Sequence, residues 1–300
     1  MMRRVVLLLL LACAPAFADA NRFEATLAPA ERFEVGTTLV ERHGQGGTPV
    51  VLVPGLAGGA WSWQQTIRQL MGGHVVYVLT FPGFDNQPAV PGKGLPAAQE
   101  SLRELIASRK LGKPVLIGHS LGGTIALALA AQHPDLVGGV VSIDGLPVMP
   151  GTEDWPAAQR VKMAGATASQ MAVSFAARQQ QYMRGIGVID MARADELAKL
   201  TARSDPAAVS RYMADALALD VRTVLPAVQA PVLLMMPYFD LDAEQQEMTL
   251  AAKADYYRSL MKGTPSLKLV PVAPARHFAM FDQPQLVDQT IAAFLNTLAH

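Results

Sequence analysis

One nine-residue stretch, Val115-Leu-Ile-Gly-His-Ser-Leu-Gly-Gly123, constrains this chain more than any other. Val115 to Gly118 reads as a short buried strand and Thr124 to Gln132 as an alanine-rich helix, which leaves Ser120 at the turn between them. Gly118 and Gly122 flank the serine two positions to either side, the G-x-S-x-G spelling of a nucleophile elbow. Such a turn is so sharp that the serine backbone is strained and bulky neighbours would collide. Glycine at both places lets strand and helix close together and leaves the hydroxyl projecting. The first helical turn then offers free N–H groups and the positive end of its dipole to an anion.

The rest of the chain supplies a sheet for this turn. Thr37–Arg42 alternates weakly and predicts an edge strand. Pro49–Val53 and Val75–Leu79 are continuous apolar runs of the kind a strand buried on both faces requires. Helices are expected from Trp61 to about Met71 and from Ala97 to Arg109, and a further strand from Val137 to Ile143. Strands resume at Pro231–Met236 and Ser266–Val272, with a helix over about Gln245–Met261 between them and a closing helix from Pro284 to Leu298. Strands alternating with helices predict an α/β fold with a mostly parallel, doubly wound sheet.

The alternation stops between Val148 and Ala227. No strand-like run occurs there, and Met149, Met163, Met171, Met183, Met191 and Met213 lie among alanines and glutamines. This stretch reads as a helical cap, residues 148–227, inserted into a core formed by residues 19–147 and 228–300. Methionine serves either as gap filler in such a subdomain or as the adaptable lining of an apolar pocket.

Residues 1–18 read as a signal peptide, with Arg3 and Arg4 before the apolar run Val5–Leu11 and Ala16-Phe-Ala18 as the cleavage site. The apolar run is too short to span a bilayer. Removal takes away two cations and no acid, leaving a formal charge of −2. It also removes Cys13, the single cysteine, which excludes a disulfide, a thiol nucleophile and cysteine-bound metal in the mature chain. Leu10-Leu-Ala-Cys13 also resembles a bacterial lipobox, so a lipid anchor on Cys13 is the second reading; either one predicts export, to the periplasm or beyond. With balanced charge and no basic run, nucleic acid is excluded as a partner.

An acyl-transfer serine needs a base, because an alkoxide is inaccessible at neutral pH. Of the six histidines, His277 stands just beyond the last strand and is the candidate. His43, His133 and His300 read as solvated, His74 lies before a strand on the opposite edge, and His119 packs inside the turn. The acid that orients the imidazole should follow a strand between serine and histidine. Asp240 is the first choice, with Asp144 and Asp242 as alternatives. Two fixed N–H donors for an oxyanion are expected from Leu121 and from the loop Pro54-Gly-Leu-Ala-Gly-Gly59, at Leu56 or else Ala57. No cofactor is implied, and no His or carboxylate pair has metal-ligand spacing.

From about Val50 to Leu298 the chain resembles a capped, single-domain α/β-hydrolase of the kind that includes many esterases. The residues that carry the resemblance are Pro54-Gly55 with Trp63 downstream, Phe81-Pro-Gly-Phe84, Gly118-His-Ser-Leu-Gly122 and Ala275-Arg-His-Phe278. It departs where many relatives have His-Gly in place of Pro54-Gly55, and where Pro237 replaces the glycine of a Gly-x-x-Asp acid motif. The resemblance implies serine-dependent hydrolysis of small carboxylic esters, with apolar acyl groups suggested by the Met-rich insertion. Lactones and thioesters are open to the same machinery. Cofactor-free perhydrolases, carbon–carbon bond hydrolases and non-catalytic binding proteins share the scaffold.

Overall fold

The computed structural model of the protein describes residues 21–170 and 174–298. The expected signal peptide, Cys13, Met171 and His300 lie outside the described residues. Eight strands form one sheet in the order β1-β2-β4-β3-β5-β6-β7-β8. They are β1 (Glu31–Val35), β2 (Thr38–His43), β3 (Val50–Val53), β4 (Val76–Thr80), β5 (Val115–His119), β6 (Gly139–Ile143), β7 (Val232–Pro237) and β8 (Leu267–Val272). The five from β3 to β8 other than β4 run parallel to their neighbours, as does β4 to β3, whereas β1 and β2 form an antiparallel hairpin docked on β4.

The edge of the sheet is β1, so the strand expected over Thr37–Arg42 is the second, not the first. Glu31 and Arg32 carry charges that hide β1 from an apolar-run reading; they pair across the hairpin with Arg42 and Glu41. His43 is a correction as well: it is buried in β2, its Nε2 3.6 Å from Glu41.

The central strands are buried on both faces, and their alternation feeds two cores. Val51, Val53, Leu79 and Leu116 face one layer with Leu102, Leu105 and Ile125, while Val50, Leu52, Val78 and Ile117 face the other with Trp63, Ile67 and Ile291. The covering helices are α1 (Gln64–Leu70), α2 (Leu95–Ser108), α3 (Leu121–Gln132) and, after the insertion, α8 (Asp240–Gln245), α9 (Leu250–Leu260), α10 (Ala279–Asp282) and α11 (Pro284–Leu298).

Between β6 and β7 lie α4 (Ala157–Gln170), α5 (Phe175–Tyr182), a five-residue π-helical turn (Met183–Gly187), α6 (Met191–Thr201) and α7 (Pro206–Ala218). Asp190 and Asp205 cap α6 and α7 by accepting from the N–H groups of Arg193 and Ala208. The inserted helices touch loops that leave the carboxyl ends of strands. Asp205 N–H donates to Gly83 O and Asn86 N–H to Arg203 O after β4, and Phe278 N–H donates to Gly187 O after β8. Among the described residues no helix is long and apolar enough to cross a membrane.

Candidate active site

Parallel register brings the site residues to one edge. Val53 is level with Gly118, His119 with Ile143, Ile143 with Met235 and Pro237 with Val272, so five strands release their loops side by side.

Ser120 follows β5 with φ 51° and ψ −122°, a left-handed conformation that a side chain other than glycine adopts at a cost of about 1–3 kcal/mol. The surrounding contacts hold it there. Its N–H donates to Ile143 O at 2.9 Å, and its carbonyl accepts from Gly123 N–H at 2.9 Å. A Cβ on Gly118 would lie 2.2 Å from the Gly122 carbonyl carbon, and one on Gly122 would lie 2.1 Å from Val53 O. Both glycines are therefore required by close backbone approach. The serine itself is half-buried.

Asp144 occupies the matching turn after β6, also left-handed at φ 52°. A Cβ on the next residue, Gly145, would fall 2.4 Å from Ser120 O, so the two turns pack directly on one another. His277 lies in the loop after β8, anchored by the buried Phe278, whose ring is 6.4 Å from that of Trp61 and nearly parallel to it. Its Nδ1 is 2.6 Å from Asp144 Oδ2. With Nδ1–H donated to the carboxylate, Nε2 is left as the basic nitrogen.

The first-choice acid does not reach the histidine. After β7 the chain stays paired with the β8 loop, Tyr238 N–H donating to Val272 O and Ala275 N–H to Tyr238 O. Asp240 thereby becomes the first residue of α8 and is exposed. Asp242 is engaged instead by Arg276, whose Nη2 and Nε donate to its two oxygens at 2.6 and 2.8 Å. Asp144, the alternative, is the carboxylate against His277.

Burial pushes the Asp144 carboxyl up, but His277, Lys253 and the Tyr257 hydroxyl together hold it below the usual carboxylate range. Tyr257, from α9, donates to Asp144 Oδ1 at 2.5 Å. Lys253, one turn earlier, donates to Pro237 O at 2.7 Å and sits 5.7 Å from the Tyr257 ring. No local sequence signal marks Tyr257; its partner is 113 residues away.

His119, read as a packing residue, is fully enclosed, with its ring centroid 4.7 Å from that of His277 and 4.4 Å from that of Phe278. Its Nε2 lies 3.0 Å from His277 O, to which the neutral ring donates. Burial and the neighbouring His277 push its pKa down to about 3, so it stays uncharged. A Cβ on Gly55 would lie 2.7 Å from His119 Nδ1, which fits the loop against the imidazole.

The two expected oxyanion donors both present free amides. Leu121 N–H opens α3 and has no carbonyl four residues back in the helix, and neither Leu56 N–H nor Ala57 N–H has an acceptor among the described residues. Ala57 is left-handed at φ 58°, and with Asp85, Asn86, Ser120 and Asp144 it makes five non-glycine residues of positive φ in the loops that leave the carboxyl ends of β3, β4, β5 and β6. Such clustering marks sites where strain is held for function.

These are the parts that nucleophilic acyl transfer needs: a serine at a helix N-terminus, a carboxylate-bound imidazole and amides without acceptors, all at one edge of the sheet. A cavity of about 200 Å³ adjoins the Asp144–His277 pair and is lined also by Tyr238, Lys253 and Arg276.

Comparison with known proteins agrees with the architecture. The chain is 29% identical over 253 residues to the biotin biosynthesis bifunctional protein BioHC of Cellvibrio japonicus, covering 83% of this chain and 48% of that protein. It is 31% identical over 101 residues to esterase YbfF of Escherichia coli, 34% of this chain and 40% of the relative. The matches thus span about half, or less, of these relatives' length. Among solved structures, a thermophilic esterase from Thermogutta terrifontis superposes with a TM-score of 0.70 at 22% identity, over 90% of this chain and 100% of its own. MenH from S. aureus gives the same TM-score at 14% identity, over 87% and 99%. Both likenesses are of fold. Residues 50–290 match the family model described as the alpha/beta hydrolase family, and with the strand order and the serine turn already described, the chain belongs to that family.

Proposed function

We propose that this protein hydrolyses small carboxylic esters through a serine acyl-enzyme. The observation that carries the reading is the left-handed Ser120 at the head of α3, packed through Gly145 against the turn whose Asp144 holds His277 Nδ1. Ser120 Oγ attacks the ester carbonyl carbon while its proton passes to His277 Nε2. The amides of Leu56 and Leu121 donate to the oxyanion, and the imidazolium is stabilised by Asp144. Collapse expels the alcohol, which takes the proton from Nε2. Water, deprotonated by the same nitrogen, then attacks the acyl-enzyme and releases the acid, restoring Ser120.

Two relatives' names support the ester class, esterase YbfF and a pimeloyl-[acyl-carrier protein] methyl ester esterase of Aeromonas salmonicida; a third, a putative carbamate hydrolase of Yersinia enterocolitica, supports hydrolysis more broadly. The exposed Tyr182 and Ile186 beside His277 and the Met content of the insertion favour apolar acyl groups. Residues 1–18 support an exported enzyme.

Labelling by a fluorophosphonate probe tests the mechanism. The wild-type protein is expected to be modified on Ser120 and the Ser120→Ala variant to stay unmodified. Equal labelling of the two sinks the reading, and a p-nitrophenyl ester series then ranks acyl length.

A further inference from the structure

The loop that carries His277 is not held by the sheet alone. Its backbone runs beside the turn that joins α5 to α6, His277 N–H donating to Ile186 O at 3.1 Å and Phe278 N–H to Gly187 O at 2.8 Å. Two side chains fasten the same joint. Asp282 accepts from Arg276 N–H at 2.9 Å and from Ile189 N–H at 3.1 Å, one oxygen to each segment. Arg276 uses one nitrogen, Nη1, on the carbonyls of Arg184 and Val188 at 2.9 and 3.3 Å. Its Nε and Nη2 take both oxygens of Asp242, on α8, at 2.8 and 2.6 Å. The guanidinium also lies 5.2 Å from the Phe239 ring.

Arg276 therefore ties three separate elements together at the residue next to His277: the inserted turn, the first turn of α8 and the histidine loop. Only a planar fork with fixed donor directions meets a bidentate carboxylate on one side and two carbonyls on the other; an ammonium cannot span them. The side chain is mostly enclosed, at 15% exposure, so these bonds face little competition from water.

We infer that Arg276 is a positioning residue for His277, and that through it the helical insertion, which packs against the histidine loop, also sets the placement of the base. The inference rests on the reading of His277 as the base. Its physical content is that the imidazole has two independent constraints: Asp144 fixes the ring through Nδ1, while the Arg276 joint fixes the main chain from which the ring hangs. A ring oriented correctly on a displaced backbone misses the serine proton, and a misplacement near 1 Å costs on the order of 100-fold in rate.

The test compares Arg276→Gln, Arg276→Lys and Asp242→Asn with the wild-type protein on one p-nitrophenyl ester, alongside thermal midpoints and fluorophosphonate labelling rates. Arg276→Gln is expected to lower kcat about 30-fold or more with KM within about threefold, since only the base moves. The labelling rate of Ser120 should fall in parallel. Arg276→Lys should recover only a small part of kcat, and added guanidinium ion should restore activity to an Arg276→Ala variant. Should the glutamine variant not fold, Asp242→Asn carries the test, with an expected loss of about 3- to 10-fold in kcat. The inference is overturned if the variants keep wild-type kcat while the thermal midpoint alone falls, or if KM moves and kcat does not. Failure of the wild-type protein to label at Ser120 would instead strike the proposed function, so the two failures are distinguishable.

Discussion

Tyr257 donates its hydroxyl to Oδ1 of Asp144 while His277 holds Oδ2, so the half-buried carboxylate is bonded on both oxygens by residues from two different elements. This division explains how the acid stays ionised beside a histidine. Replacing Tyr257 with Phe is expected to reduce kcat about 10-fold, the order of one hydrogen bond to a charged group. Because the Asp144 pKa is depressed in the fold, its contribution to stability is complete above the ordinary carboxylate value, about 3.9, and is lost as pH falls through the depressed value. Without the Tyr257 donor that acid-side loss should be smaller and complete at a higher pH, which urea titrations between pH 2 and 6 will measure.

The two aspartates should separate cleanly in ester hydrolysis. Asp144→Asn is expected to lower kcat by about 10⁴-fold, since an amide holds the imidazole in the wrong tautomer. Asp240→Asn, at an exposed helix start, should stay within about twofold. A large loss in the second variant with little in the first would reverse the assignment.

His119 should show no protonation over the working range. With its pKa near 3, its ring C–H resonances are expected to stay fixed from pH 9 down to pH 5 in a two-dimensional NMR titration. A midpoint above pH 5 would mean that the ring is not enclosed against His277 and Gly55 as described.

Gly145→Ala is a test of the joined turns. Its Cβ would meet Ser120 O at 2.4 Å and Ser142 Oγ at 2.6 Å, so the backbone of both turns must move. The expected result is a stability loss of about 3 kcal/mol by chemical denaturation, with activity falling further than stability explains.

Asp288, on α11, gives a pH dependence of the opposite sign. Burial raises its carboxyl, against the opposing hydrogen bonds from Gln65 and Thr66. A raised acid favours folding below the unfolded value and loses that advantage as pH climbs through the folded one. Relative to Asp288→Asn, the wild-type protein should therefore lose stability as pH rises above about 4. Paired denaturation curves from pH 4 to 7 check the slope.

What the sequence makes legible follows the range of the forces involved. The Ser120 turn is written in its own five residues, because the clashes that demand Gly118 and Gly122 are local. The buried strands announce themselves as apolar runs. The acid is harder, since Asp144, Asp240 and Asp242 all lie between serine and histidine, and only the pairing of Tyr238 with Val272 and Ala275 turns Asp240 away. One signal was available: Asp144 follows its strand directly and precedes glycine, just as a left-handed turn would ask of a residue type that tolerates that conformation. Tyr257 and Arg276 act across long sequence separations and have no such mark. The hairpin strand β1 escapes a hydrophobicity reading because cross-strand ion pairs, rather than apolar residues, dress it.

The insertion between β6 and β7 begins and ends at nearly one point. Val148 bridges Asp220, and Val221 N–H donates to Pro147 O at 2.9 Å, while Leu146 O accepts from Thr124 Oγ1 at 2.7 Å. The two ends of the insertion are therefore clasped together, Pro147 and Val148 lying against Asp220 and Val221. A graft from a relative that keeps Gly145–Val148 and Asp220–Val221 retains the acid turn, and must bring its own carbonyls to meet Arg276. Recombination at these borders would change the insertion while leaving the strands and the turn of Asp144 in place.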